Sequence, residues 1–533
     1  MNRVLLTTVY GPLGRPDEGR TVGTELFHKQ ITRAQGIFSV RQVMHAWGLD
    51  YIAANLKTPT IVYHYPTLSK FKKEITKIHY THIGINFVAA TFHRAQEMSD
   101  LIRKLSPGTN IIFGGYGTVL PDELLTPYCD VICRGDGIPF MRELMKEDST
   151  APITHPYAPS TGPEVLSYRH PQVVGNITSG LGCPNGCDFC CTSHFFSRRY
   201  TPFIKDGKEL FNCVLEQYKT AEKRKENMLL VSIIDEDFFH NEPRARQFLE
   251  AVRETKPDIG LAGFSSIKSL SRFTVKEIAE MGFDIIWVGI EGKQSGYQKL
   301  AGPPPEVLFE ELRSYGICTV ASSIIGLPYH TRESIREDFE RLISLKPTYS
   351  QIMIYLPIPG TPLYKKATEE NLFLPKYKDQ KNWKKLEGFE QFLKYDQFED
   401  GELEIIQDQL YEEEYRRLGP SIYRITDTYI HSLDKLLKSG SQLLEMRAQR
   451  HIKTLKPIRS ILPIGSMLAP SPEVKENIQR MAKTFRDVYG KWKPLDLAMA
   501  AGSPLAAFVT YLRSKTRFEN RLGTRRTEYP RPA

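Results

Sequence analysis

The chain has 533 residues, with 71 Lys and Arg against 62 Asp and Glu for a net charge of +9, and 41 % of its residues are hydrophobic. That suits several domains, each able to bury a core. Eight cysteines in so long a chain, with no secretory signal at the start, argue against a disulfide framework. No apolar run reaches about 18 residues, so no spanning helix is expected and the cytoplasm is the default location.

Residues 1–150 alternate strands with helices. VLLTTVY reads as a strand, FSVRQVMHAWGL as a weak helix, TPTIVYHYP as a strand and SKFKKEITK as a polar helix. HIGINFVAA and NIIFGGYG are further apolar strands, the second ending in Gly114, Gly115 and Gly117. DVICRGDG adds a short strand with Gly135 and Gly137. Near-continuous apolar strands separated by helices imply a doubly wound parallel sheet, whose ligands bind at the strands' carboxyl ends. Glycines there are expected with or without a ligand. Residues 151–172 are rich in Pro, Ser and Thr and read as a linker.

The stretch SGLGCPNGCDFCCTSHF follows the strand VVGNITSG and holds Cys183, Cys187 and Cys190 in a C-x3-C-x2-C spacing. Three thiolates so close in sequence can wrap one corner of a cubane 4Fe-4S cluster and leave the fourth iron without a cysteine. A structural zinc site would pair two C-x2-C knuckles or add histidines, and only His194 is near. Cys191 lies outside the pattern and reads as a bystander. Cys129, Cys133, Cys213 and Cys318 read as small core residues.

From Val173 to about residue 400, six strand–helix units follow one another, as in a partial (β/α)6 barrel. Polar groups gather at the strand ends: Asp235, Glu236 and Asp237; Ser265 and Ser266; Glu291. Barrel enzymes place their sites there. Residues 401–533 are helical, and from Ser421 onward 21 Lys and Arg face 9 Asp and Glu. Basic helices with apolar faces suit an anionic membrane surface, and equally suit packing onto the barrel with a solvated rim. Aromatic residues are not interleaved with basic ones in a stacking pattern, so no nucleic-acid partner is expected.

The cysteine spacing, Phe189 before the last cysteine, and the strand leading in resemble the radical S-adenosylmethionine (SAM) superfamily. The resemblance implies that SAM chelates the open iron. An electron from a donor such as flavodoxin or ferredoxin then cleaves it to a 5'-deoxyadenosyl radical. It places contacts to the methionyl amino group at Asp235 and Glu236, with an acidic loop capping the next helix as the equal alternative, and ribose contacts at Ser265. Glu291, in a G-x-E pattern, would hold the ribose or the methionyl end, with a salt bridge to Lys293 or Lys268 as the plainer alternative. Gly326 lies in the I-G-L-P turn against the adenine. The order G-G-Y-G, P-D-E-L, D-V-I-C-R-G-D-G and the later P-I-P-G-T-P-L resemble members with a cobalamin-binding domain. In these, Gly114, Gly115, Gly117, Gly135 and Gly137 would approach the corrin. Tyr116, Gly117 and Asp136 depart mildly from that pattern. The D-x-H-x-x-G motif that supplies an axial histidine is absent. A vestigial Rossmann-like domain without cofactor is the alternative.

The expected architecture is α/β: a Rossmann-like cobalamin-binding domain at 1–150, a linker at 151–172, a radical SAM barrel at 173–400 and a helical basic region at 401–533. The expected activity is cobalamin-dependent methylation of an unactivated carbon in a lipid-like or other small molecule. Radical cyclisation, or a non-catalytic cofactor-binding module, are the alternatives. Peripheral contact with the inner membrane surface through 421–533 is a further expectation.

Overall fold

The computed structural model describes residues 3–13, 18, 25–515 and 523–529. Two six-stranded sheets organise them. In the first, β1 (Val4–Thr8), β2 (Thr60–His64), β3 (His82–Asn86), β4 (Asn110–Gly114) and β5 (Val131–Ile132) run parallel in the order 2-1-3-4-5. β1 and β2 are buried along their whole length, as their apolar sequences require of strands covered on both faces.

The sixth strand, Arg525–Tyr529, comes from the far end of the chain and pairs antiparallel with β2. This corrects the reading of 1–150 as a self-contained block and of 401–533 as wholly helical. A polar cluster pins the strand. Asp50, buried in the helix Trp47–Ala54, accepts from Arg525 Nη2 at 2.7 Å and from the Tyr529 hydroxyl at 2.7 Å, and its Oδ2 lies 2.9 Å from His64 Nε2. The expected helix FSVRQVMHAWGL is also corrected: Arg41 pairs with Glu164 and the helix begins only at Trp47. The segment before it runs beneath the second sheet, where Phe27 packs 5.2 Å from Tyr349. The expected linker is structured too, with a small hairpin of Glu164–Val165 and Tyr168–Arg169.

In the second sheet, β6 (Val173–Ile177), β7 (Met228–Ile233), β8 (Leu261–Ser265), β9 (Phe283–Glu291), β10 (Cys318–Ile325) and β11 (Tyr349–Ile354) run parallel in chain order, the arrangement of a partial barrel. Side-chain caps start its helices. Asp206 accepts from Lys208 N at 2.6 Å, and Thr274 and Thr331 open capping boxes with Glu277 and Ser334.

The tail packs against the amino ends of these strands. Asp284, at the start of β9, receives Arg447 at 2.9 Å, Arg450 at 3.1 Å and His451 at 3.3 Å from the helix Gln442–Leu455. Part of the tail's positive charge is therefore structural and buried. Burial alone would raise the Asp284 carboxyl, but Arg450 and Arg447 outweigh it and hold it below the usual range. His451 is pushed down to about 4 by burial. The run LDLAMAAGSPLAAFVTYL forms the helix Pro494–Ser514, which is long and apolar enough to cross a membrane, with a mean hydropathy of 1.4. This overturns the expectation of no such helix, since Asp496, Gly502 and Pro504 interrupt the run without cancelling its hydropathy. Residues 516–521 of the expected helical run lie outside the described residues.

Replacing Asp284 by Ala leaves the buried Arg447 without a carboxylate and Arg450 with Asp258 alone, and should cost about 3–5 kcal/mol. A carboxylate depressed in the folded state adds stability above its unfolded value of about 3.9 and loses it as pH falls through the folded value. Hydrogen exchange across 442–455 should accelerate in Asp284→Ala at neutral pH and in the wild type only under acid. Unchanged protection in the variant would contradict this.

Candidate active site

The loops at the carboxyl ends of the two sheets meet. The cysteine loop leaves β6 and folds back on itself. Gly182 and Gly186 take left-handed conformations at φ 86° and 69°, and a Cβ on Gly182 would lie 2.1 Å from the Arg199 carbonyl oxygen. Ser193 Oγ donates to the Cys183 carbonyl at 2.8 Å and accepts from Gly186 N at 3.0 Å, while Cys190 N donates to the Cys187 carbonyl at 3.1 Å.

The three thiols share this loop. Burial pushes Cys183 up to about 12 and Cys190 up to about 11, and raises Cys187. Cys190 interacts electrostatically with both of the others, and the backbone at Asn185 and Ser193 favours the charged forms of Cys183 and Cys190. Among the described residues, no group of three or more His, Cys, Asp or Glu is placed to hold a single metal ion. A cubane takes each thiolate on a different iron, so three thiols spread around one loop fit that cluster.

One buried ion pair supports the loop from below. Arg244 Nη2 pairs with Asp235 Oδ2, and its Nη1 donates to the Tyr200 hydroxyl at 2.6 Å and to Ser179 Oγ at 3.3 Å. The Asp235 carboxylate is thus committed to the protein and does not face the cleft as an ammonium partner. Asp237 likewise accepts from Ser265 at 2.9 Å, Ser266 at 2.7 Å and Ser269 at 2.9 Å, so the Ser265 hydroxyl proton is committed as well.

Glu236 differs. It is exposed, beside Thr192 and within electrostatic reach of Tyr116 and Cys183. Loss of hydration there raises its carboxyl above the usual range.

Glu291 ends β9 at a register shift, buried and at φ 45°, a conformation that costs about 1 kcal/mol or more in a non-glycine residue. Its partner is Lys299, not Lys293 or Lys268. Lys299 Nζ sits 5.7 Å from the Phe189 ring centroid. Burial disfavours its charge, but Glu291 and the Cys187 and Cys190 thiols raise its pKa. A cation therefore faces the cluster loop. Beside it, Asp188 accepts from the Tyr297 hydroxyl at 2.7 Å and from Tyr355, and Leu363 N donates to the Asp188 carbonyl at 3.1 Å. Gly326, at φ 76°, is required by this chain's own packing: a Cβ would lie 2.7 Å from Leu403.

From the first sheet, Tyr116 reaches across. Its hydroxyl lies 3.3 Å from Thr192 Oγ1, and its ring packs 5.1 Å from Phe195. A Cβ on Gly115, Gly117 or Gly137 would strike Asn86, Phe87 or Ile52, so these three glycines serve internal packing. Gly114 and the left-handed Gly135 have open backbone, with nothing closer to a Cβ than 3.9 Å at Gly114 and nothing within 4 Å at Gly135. Sequence reasoning missed Arg244 and Lys299, and met Tyr116 only as a departure from a pattern. Lys299 lies in an irregular segment eight residues beyond its partner, and Arg244 sits inside a helix 65 residues from Ser179.

No family model matches this chain. It is 22 % identical over 370 residues to an uncharacterized methyltransferase of Pyrococcus horikoshii, covering 62 % of this chain and 78 % of that protein. It is 20 % identical over 346 residues to an anaerobic magnesium-protoporphyrin IX monomethyl ester cyclase of Rubrivivax gelatinosus, covering 56 % of this chain and 60 % of that protein. Among solved structures, it is similar to the radical SAM methyltransferase TsrM from Kitasatospora setae with cobalamin and a [4Fe-4S] cluster bound, with a TM-score of 0.50 at 16 % identity, covering 69 % and 78 % of the two chains. The fold is that of a radical SAM protein with a partial parallel barrel. In motif and fold, the chain resembles radical SAM proteins that carry a cobalamin-binding domain.

Anaerobically reconstituted protein should hold about one 4Fe-4S cluster. Changing Cys183, Cys187 and Cys190 together to Ala should abolish it. Full iron content in that variant would place the cluster elsewhere.

Proposed function

We propose that the chain is a cobalamin-dependent radical SAM enzyme that methylates an unactivated carbon of a lipid-like substrate. The observation that carries this is the meeting of the cysteine loop with the turn after β4, where the Tyr116 hydroxyl lies 3.3 Å from Thr192 Oγ1 and its ring packs against Phe195. Cys183, Cys187 and Cys190 would hold the cluster. The open backbone at Gly114 and Gly135 would receive the corrin edge. When bound, these groups supply the electron that cleaves SAM and the methyl group that is transferred.

The chain's own residues position and exclude. Arg244 and Asp235 fix the base of the loop, and Lys299 sets a positive charge against the thiolates. Phe189 and Tyr116 wall the site from opposite sheets. Glu236 is exposed beside the cysteine loop next to Thr192, with its carboxyl raised above the usual range. Of the histidines around the first sheet, His64 meets Asp50, His93 meets Glu18 and His45 meets the Gly523 carbonyl, while His82 stands at the amino end of β3.

Electrons would come from an external flavodoxin- or ferredoxin-like donor, with the protein peripheral to the cytoplasmic membrane face. The likeness to a cyclase favours radical cyclisation as the second reading.

With SAM, cobalamin and reductant under anaerobic conditions, the protein should release 5'-deoxyadenosine. Its cob(II)alamin form should lack nitrogen hyperfine splitting from an axial imidazole. A protein that binds both cofactors without cleaving SAM is a binding module, and that result overturns the proposal.

A further inference from the structure

The barrel lumen contains a cavity of about 480 Å³ that the cofactor end does not use. This lies within the roughly 300–1,000 Å³ typical of small-molecule sites. Its wall is mostly the inward face of the strands' amino halves, including Val174, Leu230, Ala262, Ile285 and Val320, with the paired Asp284, Arg450 and His451 at the tail end. Its upper end is a stacked pair, Phe264 on Trp287, with centroids 5.4 Å apart and planes at 27°. The next inward positions along those strands are Ser266 and Gly289, and a Cβ on Gly289 would touch Glu291 and Lys299. The aromatic pair therefore separates the apolar chamber from the catalytic mouth by about one residue layer.

The lower end is closed by the tail. Met499, Gly502, Ser503 and Ala506 of the helix Pro494–Ser514 line the cavity. The rest of the helix surface is bare: Leu497, Leu505, Phe508 and Leu512 are 46–66 % exposed. Only 11 % of its most apolar window is buried. Exposed Lys491 and Lys493 flank one end and Lys515 the other, where anionic headgroups would meet them.

This helix does not span a membrane. Ser503 and Ala507 are buried, Ser167 Oγ lies 2.8 Å from Thr510 Oγ1, and Arg459 pairs with Asp496 at 3.5 Å. The chain beyond the helix returns to pair with β2, so both ends of the helix belong to one body. A single crossing would place the Arg525–Tyr529 strand on the wrong side.

We infer that the helix Pro494–Ser514 lies flat in the surface of an anionic membrane, and that the cavity above it takes the hydrocarbon chain of a membrane lipid. Met499, both exposed and lining the cavity, marks the entrance. The chain would enter from the amino end of the barrel and rise toward the Phe264–Trp287 pair, while the cofactors act from the carboxyl end. This deepens the proposed function by naming its substrate class, and rests on it only for the chemistry.

The test uses full-length protein. Sedimentation with phosphatidylglycerol vesicles should carry down the wild type, and the triple variant Leu505→Asp, Phe508→Asp, Leu512→Asp should lose at least tenfold in binding. Those positions are exposed, so the fold should survive, as circular dichroism would verify. Spin-labelled stearic acid should bind the detergent-free protein with an immobilised spectrum, and Ala262→Trp, which fills the chamber, should weaken that binding at least tenfold. Vesicle binding unchanged in the triple variant, or stearate binding unchanged in Ala262→Trp, would overturn the inference. 5'-Deoxyadenosine release in the same samples keeps the two questions apart. Release without chain or vesicle binding sinks the lipid chamber alone, whereas chain binding without any release sinks the radical chemistry and leaves the chamber standing.

Discussion

The site depends on the buried pair between Arg244 and Asp235. Both side chains are almost wholly removed from water, where an unpaired charge would be prohibitive. Arg244 comes from the helix after β7, Asp235 from the end of β7, and Ser179 and Tyr200 from the two ends of the cysteine loop. One guanidinium thus ties the loop to the barrel rim at both its entry and its exit. Such pairs add little net stability over apolar packing. What this one supplies is geometry, because its donors reach their partners only when the loop closes over the rim.

The same economy of charge runs through the molecule. Lys299 is held by Glu291 and faces the thiols. Asp284 gathers Arg447, Arg450 and His451 at the opposite end of the barrel. Asp50 gathers Arg525, Tyr529 and His64 at the edge of the first sheet. The last two clusters are the means by which the tail becomes part of the two domains before it. The tail lines the lumen from below and contributes a strand to the first sheet.

Much of the architecture was legible in the sequence. Strand–helix alternation and apolar strands pointed to two parallel sheets, because a buried strand has no polar face to conceal its period. The cysteine spacing was legible because chelation by one loop is local in sequence. The remainder was not, for a physical reason: the partners are distant. Glu291 was legible at a strand end, but Lys299 was not. Asp235 looked available until Arg244 was seen beneath it. Gly117 looked like a ligand contact but makes room for Phe87. The Arg525–Tyr529 strand is too short and charged to be told from a loop without β2 beside it. The helix Pro494–Ser514 escaped a search for unbroken apolar runs because its polar residues are few but spaced.

The central claim is that three cysteines leave one iron of a cluster open to SAM at the mouth where the two sheets meet. Electron–nuclear double resonance on the reduced cluster with SAM labelled by nitrogen-15 at the amino group and oxygen-17 at the carboxylate tests it most directly. The account predicts coupling of both labels to the cluster in the wild type. A reduced cluster that forms on Cys183, Cys187 and Cys190 yet shows no coupling to either label would contradict it.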